Sequence, residues 1–135
     1  MIRCIIIDDE HDARENLKGL LIRHCEGVVV VDEAGSVEDG KTIIEKNKPD
    51  LVITDIIMPE KEGLETILEL RKNHPGLKII AISGGGRIGP QGYLPSAKYL
   101  GADMVFQKPL VPKEFSAAVA KLLNEAEGRI LPYAL

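Results

Sequence analysis

Lys78-Ile-Ile-Ala-Ile-Ser83 is a short apolar stretch rich in β-branched residues, and it ends on a small polar side chain. Short apolar runs of this kind are typical of strands that are buried on both faces of a parallel sheet. Three further runs end in the same way, and the carboxyl ends of parallel strands meet along one edge of a sheet. The residues expected at that edge are Asp8, Asp9, Asp55, Ser83 and Lys108.

The alternation of strands and helices predicts the fold class. Strands are expected at residues 2–7, 28–31, 51–54, 79–82 and 104–107, and an amphipathic helical pattern follows each of them. Parallel strands need crossover connections, and helices provide them on both faces of the sheet. The sequence therefore predicts an α/β protein with a doubly wound, five-stranded parallel sheet and five helices. In such sheets ligands bind beyond the carboxyl ends of the strands.

Local signals predict several helix ends. Asp12 is the expected N-cap of the first helix, and Ser36 is the expected N-cap of the second. The fourth helix is predicted over residues 93–100 and would stop at Gly101, because glycine suits the position after a helix end. Pro112 favours the first turn of the last helix, which is expected to begin there.

Length, charge and cysteine content narrow the functional class. A chain of 135 residues predicts one domain over residues 1–127, followed by a C-terminal tail at 128–135. The formal net charge is −4 and no basic block is present, so no direct nucleic-acid role is expected. Cys4 and Cys25 are expected to be buried thiols. Without a bilayer-spanning run or a signal core, we expect a cytoplasmic protein with no membrane contact.

The predicted edge joins three carboxylates with one hydroxyl and one cation. Two carboxylates about 4 Å apart repel by roughly 4 kcal/mol at an effective dielectric constant of about 20. Asp8, Asp9 and Asp55 therefore need a compensating cation, and oxygen ligands of this kind suit Mg²⁺ best. Each residue alone has an ordinary explanation, such as a helix cap, a turn or a solvated lysine. Their coincidence at the ends of different strands favours a metal-dependent site.

Four motifs resemble the receiver domain of two-component response regulators, including its chemotaxis-regulator-like members. They are Ile-Ile-Asp8-Asp9-Glu10, Ile-Thr-Asp55-Ile-Ile-Met-Pro59, Ala-Ile-Ser83-Gly and Gln-Lys108-Pro109, in that order. The resemblance covers essentially the whole chain. It implies the flavodoxin-like sheet order 2-1-3-4-5 and a cis peptide bond between Lys108 and Pro109.

The resemblance also implies how the acidic residues act. Asp55 would be phosphorylated by a phosphohistidine carried on a histidine kinase or a histidine phosphotransfer protein. Asp9, Asp55 and the main-chain carbonyl of Ile57 would bind Mg²⁺ directly, and Asp8 would bind it through water. An aspartate carboxylate is a recognised nucleophile for phosphoryl transfer, so the implied chemistry agrees with the residues present.

Ser83 and Lys108 would hold the phosphoryl oxygens, again by resemblance to the family. Phosphorylation would then alter a binding face for a downstream protein, formed by helix 93–100, the fifth strand and the last helix. The protein would be a signalling phosphoacceptor and not an enzyme, because it assists only its own phosphotransfer and dephosphorylation. A homodimer is compatible with this role.

Two features depart from the family pattern. An aromatic switch residue often stands three positions before the lysine, and this chain has Val105 there. Phe106 is adjacent along the strand, so it points to the opposite face and is expected in the core. The segment 84–92 also looks longer than is usual in the family. Rotation of an aromatic side chain is therefore not expected to carry the signal.

Three other functions remain open from the sequence. Residues 84–89 fit the G-x-G-x-x-G pattern of dinucleotide sites, although Pro90 follows where that pattern needs a helix. An aspartate-nucleophile phosphatase commonly needs a second acid two residues after the nucleophile, and Ile57 cannot donate a proton. The third alternative is a protein-binding module that keeps the fold without being phosphorylated.

Overall fold

The structure is a computed structural model that describes residues 1–56, 60–83 and 101–126. Its strands are β1 (Ile2–Ile7), β2 (Val28–Ala34), β3 (Leu51–Asp55), β4 (Lys78–Ser83) and β5 (Met104–Gln107). Its helices are α1 (His11–His24), α2 (Val37–Asn47), α3 (Glu60–Asn73) and α4 (Pro112–Ala126). Outside these residues lie Ile57, the glycine-rich segment 84–92, the predicted helix 93–100 and the tail 128–135. Within the described ranges, no helix is long and apolar enough to cross a membrane.

All five strands pair in parallel, in the order β2-β1-β3-β4-β5. This order confirms the predicted fold class and topology. β3 and β4 are almost entirely buried, because helices cover both faces of the sheet, which is why they appear in the sequence as continuous apolar runs. β1 and β3 are neighbours, so Asp8 and Asp55 emerge side by side.

Two apolar layers hold the helices against the sheet. Successive residues of β1 point to opposite faces, so Cys4 and Ile6 join one layer while Ile5 and Ile7 join the other. The first layer contains the buried residues of α1 and α4, and the second contains those of α2 and α3. Burial of one large aliphatic side chain contributes about 1.5–3 kcal/mol, so these layers fix the strand positions. Cys4 and Cys25 are buried free thiols, as predicted.

The starts of α1 and α2 are capped in different ways. Ser36 caps α2 as predicted, because its Oγ accepts the Asp39 N–H at 3.2 Å. The prediction that Asp12 caps α1 is wrong, since α1 has already begun at the preceding residue and its N-cap is Glu10. Asp8 lies outside the helix and accepts the Glu10 N–H on Oδ1 at 2.9 Å. This bond orients the first acid of the carboxyl edge.

β2 is longer than the sequence predicted. It continues past Val31 to Ala34, and its register with β1 shifts by one residue opposite Cys4 and Ile5. The pair Asp32-Glu33 resembles the start of a loop in the sequence, yet both residues belong to the strand. The extension is stabilised by ion pairs between Glu33 and cations on α1.

The amino edge of the sheet is held together by Arg71, near the end of α3. It donates hydrogen bonds of 2.7–3.0 Å to the carbonyls of Pro75, Leu77 and Gly101 and to the carboxylate of Asp103. Asp103 Oδ2 also accepts the Ile79 N–H at 2.8 Å. Gly101 has φ +128, and a Cβ at this position would lie 2.8 Å from Arg71 Cβ, so only glycine fits. These contacts determine where β4 and β5 begin.

Two backbone features lie close to the carboxyl edge. The Lys108–Pro109 peptide bond is cis, as the family resemblance implied. Gly40 of α2 packs on Ile7, and a Cβ at this glycine would lie only 2.5 Å from Ile7 Cδ1. Because Gly40 has no side chain, α2 approaches β1 closely at the residue that precedes Asp8.

Candidate functional site

Four strands deliver polar side chains to the carboxyl edge of the sheet. These are Asp8 after β1, Asp55 at the end of β3, Ser83 at the end of β4 and Lys108 after β5. The hydrogen-bond ladder continues past the strand ends, since Asp8 N–H donates to the Ala34 carbonyl at 3.0 Å. Lys108 N–H likewise donates to the Ser83 carbonyl at 2.9 Å. The sheet therefore brings together the side chains that the strand ends predicted.

Lys108 is shared by two buried carboxylates. Its Nζ lies 3.2 Å from Asp8 Oδ2 and 3.4 Å from Asp55 Oδ2, and the two aspartates are only 6% and 7% exposed. Burial acts to lower the pKa of Lys108 and is the largest single effect, but the charges of Asp55 and Asp8 and their hydrogen bonds to the ammonium group together outweigh it. The pKa of Lys108 is therefore raised above its usual value. The lysine is a permanent positive charge at neutral pH.

Asp8, Asp9 and Asp55 form an acidic cluster at this edge. One oxygen from each carboxylate lies within 4.8 Å of the others, and Asp9 is the exposed member. Charges about 4 Å apart repel by roughly 4 kcal/mol, and Lys108 supplies one positive charge against three negative ones. Carboxylate oxygens at this spacing fit a hard divalent cation such as Mg²⁺. The cluster can therefore hold a metal ion.

Ser83 brings a buried hydroxyl to the same edge. In the described part of the chain, Ser83 Oγ is the one buried side-chain polar atom that has no hydrogen-bond partner. An unpaired buried hydroxyl costs about 1–3 kcal/mol. A native protein retains such a cost where a bound group supplies the missing partner. The hydroxyl thus indicates a ligand position at the end of β4.

A cavity of about 510 Å³ opens beside the acidic cluster. Asp8, Asp55 and Lys108 contribute to its polar lining, while Leu17 and Leu20 of α1 contribute to its apolar wall. A group that approaches the carboxylates therefore has open space on the α1 side.

Comparison with protein families identifies the kind of domain to which this edge belongs. The family model described as the response regulator receiver domain matches residues 4–120. The chain belongs to this family. The match includes every strand end that delivers a side chain to the acidic cluster. The resemblance seen in the four sequence motifs is thereby confirmed.

Two chemotaxis proteins resemble this receiver domain over nearly their whole length. It is 32% identical over 123 residues to CheY of Thermotoga maritima, which covers 89% of this chain and 96% of that protein. It is 34% identical over 125 residues to CheY of Bacillus subtilis, with coverage of 90% and 98%. Other curated relatives are much longer than the matched region. The match to the probable C4-dicarboxylate response regulator DctR of B. subtilis, at 36% identity over 81 residues, covers 60% of this chain and 35% of that protein.

Solved receiver structures have the same fold. A response regulator receiver domain protein from Clostridium thermocellum has a TM-score of 0.80 at 29% identity, covering 94% of this chain and 98% of that one. A CheY-like receiver domain protein from Methanospirillum hungatei JF-1 has a TM-score of 0.81 at 27% identity, with coverage of 95% and 98%. Both agree with the five-stranded parallel sheet.

Val105 and Phe106 occupy opposite faces of the receiver sheet, as predicted. Val105 packs in the layer under α2 and α3. Phe106 packs in the layer under α1 and α4, with its ring centroid 5.0 Å from that of Phe115 in an edge-to-face arrangement. Phe106 is therefore partly buried and packs against the core on the predicted face.

Sequence reasoning missed Arg14, which contacts the main chain of the acidic cluster, and its partner Glu33. Arg14 on α1 donates to the Asp8 carbonyl at 2.6 Å and to Glu33 Oε1 at 2.8 Å. Helical spacing was an available signal, because Arg14 and Lys18 are four residues apart and lie on one side of α1. Their acidic partner Glu33 was not predictable, because the strand predicted from the sequence ended at Val31.

Proposed function

We propose that this receiver domain accepts a phosphoryl group from a phosphohistidine onto Asp55, in a reaction that requires Mg²⁺. The observation that carries the proposal is the convergence of the acidic cluster with Lys108 and the unpaired Ser83 hydroxyl. Membership in the receiver family supports a signalling role rather than turnover of an external substrate. The phosphorylated form then binds a downstream protein.

Asp55 is the nucleophile in this proposal. One of its carboxylate oxygens attacks phosphorus, the bond from phosphorus to the donor imidazole nitrogen breaks, and an acyl phosphate forms. Phosphoryl transfer depends mainly on positioning and on charge neutralisation. Asp55 meets both needs, because it ends a fully buried strand and lies 3.4 Å from the ammonium group of Lys108.

Asp9, Asp55 and the main-chain carbonyl of Ile57 are the proposed direct ligands of Mg²⁺, with Asp8 acting through water. When bound, the ion neutralises negative charge on the carboxylates and on the phosphoryl oxygens. Asp8 is held in place for this role by two bonds, one from the Glu10 N–H to Oδ1 and one from Lys108 to Oδ2.

Ser83 and Lys108 bind the phosphoryl oxygens in this proposal. The group adds about −1.5 to −2 charges, and charge-assisted bonds to it are worth roughly 1.5–3 kcal/mol each. Two such bonds total about 3–6 kcal/mol, comparable with the ~5.5 kcal/mol that moves a 1:99 equilibrium to 99:1. Because Val105 has no aromatic ring, we propose that Ser83 transmits the change to segment 84–92 and to the helix predicted at 93–100. The target-binding face is formed by that helix with β5 and α4.

The partners follow from this chemistry. A histidine kinase or histidine phosphotransfer protein supplies the phosphohistidine, and the cavity on the α1 side leaves room for its approach. The downstream target is a protein, and neither a membrane nor nucleic acid is a direct partner. A homodimer is compatible with the proposal. We assign residues 1–127 to the receiver unit and 128–135 to a tail, and we place the protein in the cytoplasm.

Intact mass after incubation with a small-molecule phosphodonor and Mg²⁺ tests the assignment. The native chain should gain one phosphoryl group and the Asp55→Asn chain none. Asp50→Asn is the matched control, because it makes the same chemical change just before the other end of β3 and should leave uptake intact. Equal uptake by native and Asp55→Asn chains would refute the assignment. Continuous release of phosphate would instead indicate a phosphatase, and no uptake by the native chain would indicate a module that is not phosphorylated.

A further inference from the structure

Arg14 connects the acidic cluster to the edge strand of the sheet. Its guanidinium donates to the main-chain carbonyl of Asp8 at 2.6 Å through one terminal nitrogen and to Glu33 Oε1 at 2.8 Å through Nε. The other oxygen of Glu33 accepts a hydrogen bond from Lys18 Nζ. Lys18 also lies 2.7 Å from Glu15, one turn earlier on the same helix. A chain of charged contacts therefore runs along α1 and ends on the main chain of a cluster residue.

A β-bulge in β2 turns Glu33 toward α1. Val30 packs in the layer under α1, and strict alternation would place Ala34, not Glu33, on the same face as Val30. The register shift against β1 adds one residue to β2, so Glu33 pairs with Ile6 and Ala34 packs in the opposite layer. Bulges often re-aim a side chain beside a functional site. Here the bulge supplies the acid that Arg14 contacts.

The environment of Arg14 restricts its movement. Its side chain is 16% exposed, and a Cβ on Gly35 would lie 3.3 Å from its Nη1, so the backbone of the β2–α2 turn packs closely against it. Hydrogen bonds from Lys18 and then from Arg14 hold the pKa of Glu33 below its usual value. Glu33 therefore stays ionised near neutral pH and keeps the guanidinium in one orientation.

We propose that Arg14, anchored by Glu33, is a positioning residue for the divalent cation: it fixes the main chain of Asp8 and Asp9 so that their carboxylates converge on Asp55. The inference rests on the proposed function. Arg14 bonds to the carbonyl of Asp8, so the carboxylate of that residue stays available. Groups that orient metal ligands from behind commonly change metal affinity about 10–100-fold when they are removed.

Charge and position predict opposite signs for the loss of Arg14. A positive charge near a cation site weakens cation binding, so on charge alone its removal would tighten Mg²⁺ binding. If Arg14 positions Asp8 and Asp9, its removal weakens Mg²⁺ binding despite the lost positive charge. The direction of the change in Mg²⁺ affinity of Arg14→Met, and not only its size, therefore distinguishes the two effects.

The experiment is titration calorimetry of the full chain with Mg²⁺, alongside thermal unfolding in EDTA. Arg14→Met should weaken Mg²⁺ binding about tenfold, and Arg14→Lys, which retains one donor, should recover part of the loss. Glu33→Gln should weaken binding in the same direction while leaving Arg14 in place. Lys18→Met is the control, because it removes an equal charge from the same helix at a residue whose bonds are to Glu15 and Glu33. The Mg²⁺ affinity of this variant should stay within about twofold of the native value.

The outcomes separate this inference from the proposed function. Mg²⁺ binding by Arg14→Met that equals or exceeds native binding overturns the positioning role. If Arg14→Met does not fold, Glu33→Gln decides, and native affinity in that variant overturns the role. A native chain that binds no Mg²⁺ and takes up no phosphate overturns the proposed function and the inference with it. Native phosphate uptake together with unweakened variants overturns the inference alone.

Discussion

At the amino edge of the sheet, Arg71 donates hydrogen bonds to main-chain carbonyls and to one carboxylate, whereas at the carboxyl edge Lys108 is divided between two buried carboxylates. Asp103 at the amino edge accepts from both Arg71 and a main-chain N–H. Among the described residues, none forms a hydrogen bond with the buried hydroxyl of Ser83 at the carboxyl edge. At the amino edge, Arg71 and Asp103 thus have hydrogen-bond partners within the protein. At the carboxyl edge, the described residues leave the Ser83 hydroxyl without one.

The two ends of the same strands therefore differ in role: the amino edge stabilises the fold, and the carboxyl edge is suited to binding a ligand. At the amino edge, charged groups are used to fix helix ends and strand starts, and their bonds are complete within the protein. Among the described residues at the carboxyl edge, three clustered carboxylates lie beside one ammonium group, so a bound cation would relieve repulsion between the carboxylates. Substitutions should therefore lower stability most at the amino edge and alter ligand binding most at the carboxyl edge.

The largest expected effect is that of Arg71→Met. The change leaves several half-buried carbonyls and Asp103 without their donor, so the free energy of unfolding should fall by about 2–4 kcal/mol. Urea unfolding monitored by circular dichroism measures it. Lys78→Met is the control, because Lys78 Nζ lies 4.0 Å from Asp103, beyond hydrogen-bond distance, and its loss should cost less than about 1 kcal/mol. Equal effects of the two variants would contradict the comparison.

Lys108→Met should have a smaller effect that depends on the metal. In EDTA, Asp8 and Asp55 lose their shared cation, and the free energy of unfolding should fall by about 1–3 kcal/mol. Saturating Mg²⁺ should reduce this loss, since it replaces positive charge at the same carboxylates, but it should not rescue Arg71→Met.

The pH dependence of the Lys108 contribution follows from its raised pKa. The contribution is fully present below the ordinary lysine value of 10.5 and is lost as the pH rises through the raised pKa of the folded state. The difference between native and Lys108→Met chains should therefore be steady from neutral pH to about pH 10 and shrink above it. A difference that shrinks already between pH 7 and 9 would mean that Lys108 is not the group responsible.

The smallest expected effect is that of Ser83→Ala. Removing a buried hydroxyl that has no hydrogen-bond partner among the described residues should leave the free energy of unfolding unchanged or raise it by up to about 1 kcal/mol. Thr54→Val is the matched control on the neighbouring strand, because the Thr54 hydroxyl is buried and donates to the Asp55 carbonyl at 3.3 Å. Its loss should cost about 0.5–1.5 kcal/mol. Thermal unfolding of the two variants compares these losses of stability. A larger loss of stability for Ser83→Ala than for Thr54→Val would show that the Ser83 hydroxyl has a hydrogen-bond partner.

The site was predictable from the sequence because a buried strand that stops at a polar residue leaves a sharp pattern. The apolar runs before Asp8, Asp55 and Ser83 are strands in the structure, and parallel pairing brings their ends together. Lys108 belongs to the same pattern, although β5 is only half-buried and its signal was weaker. The sheet sets the position of a side chain that directly follows a strand.

Contacts between elements were not predictable in the same way. The run from Val28 to Val31 has no alternation, so nothing in it marks the bulge that turns Glu33 toward α1. The start of α1 was misassigned for a related reason, because the carboxylate that serves it belongs to Asp8 and not to Asp12. The first error concerns contacts between α1 and β2, and the second concerns a local bond between residues two positions apart.

The pairing of Lys108 with Asp8 joins residues that are 100 positions apart in the chain. Proteins are synthesised from the N terminus, and the acids on β1 and β3 leave the ribosome well before the lysine that follows β5. A nascent chain that stops short of residue 108 has its carboxylates without this counterion, however well its first strands have formed. The newborn protein thus gains the ammonium group beside Asp8 and Asp55 only when β5 docks, so these contacts form no earlier than the complete sheet.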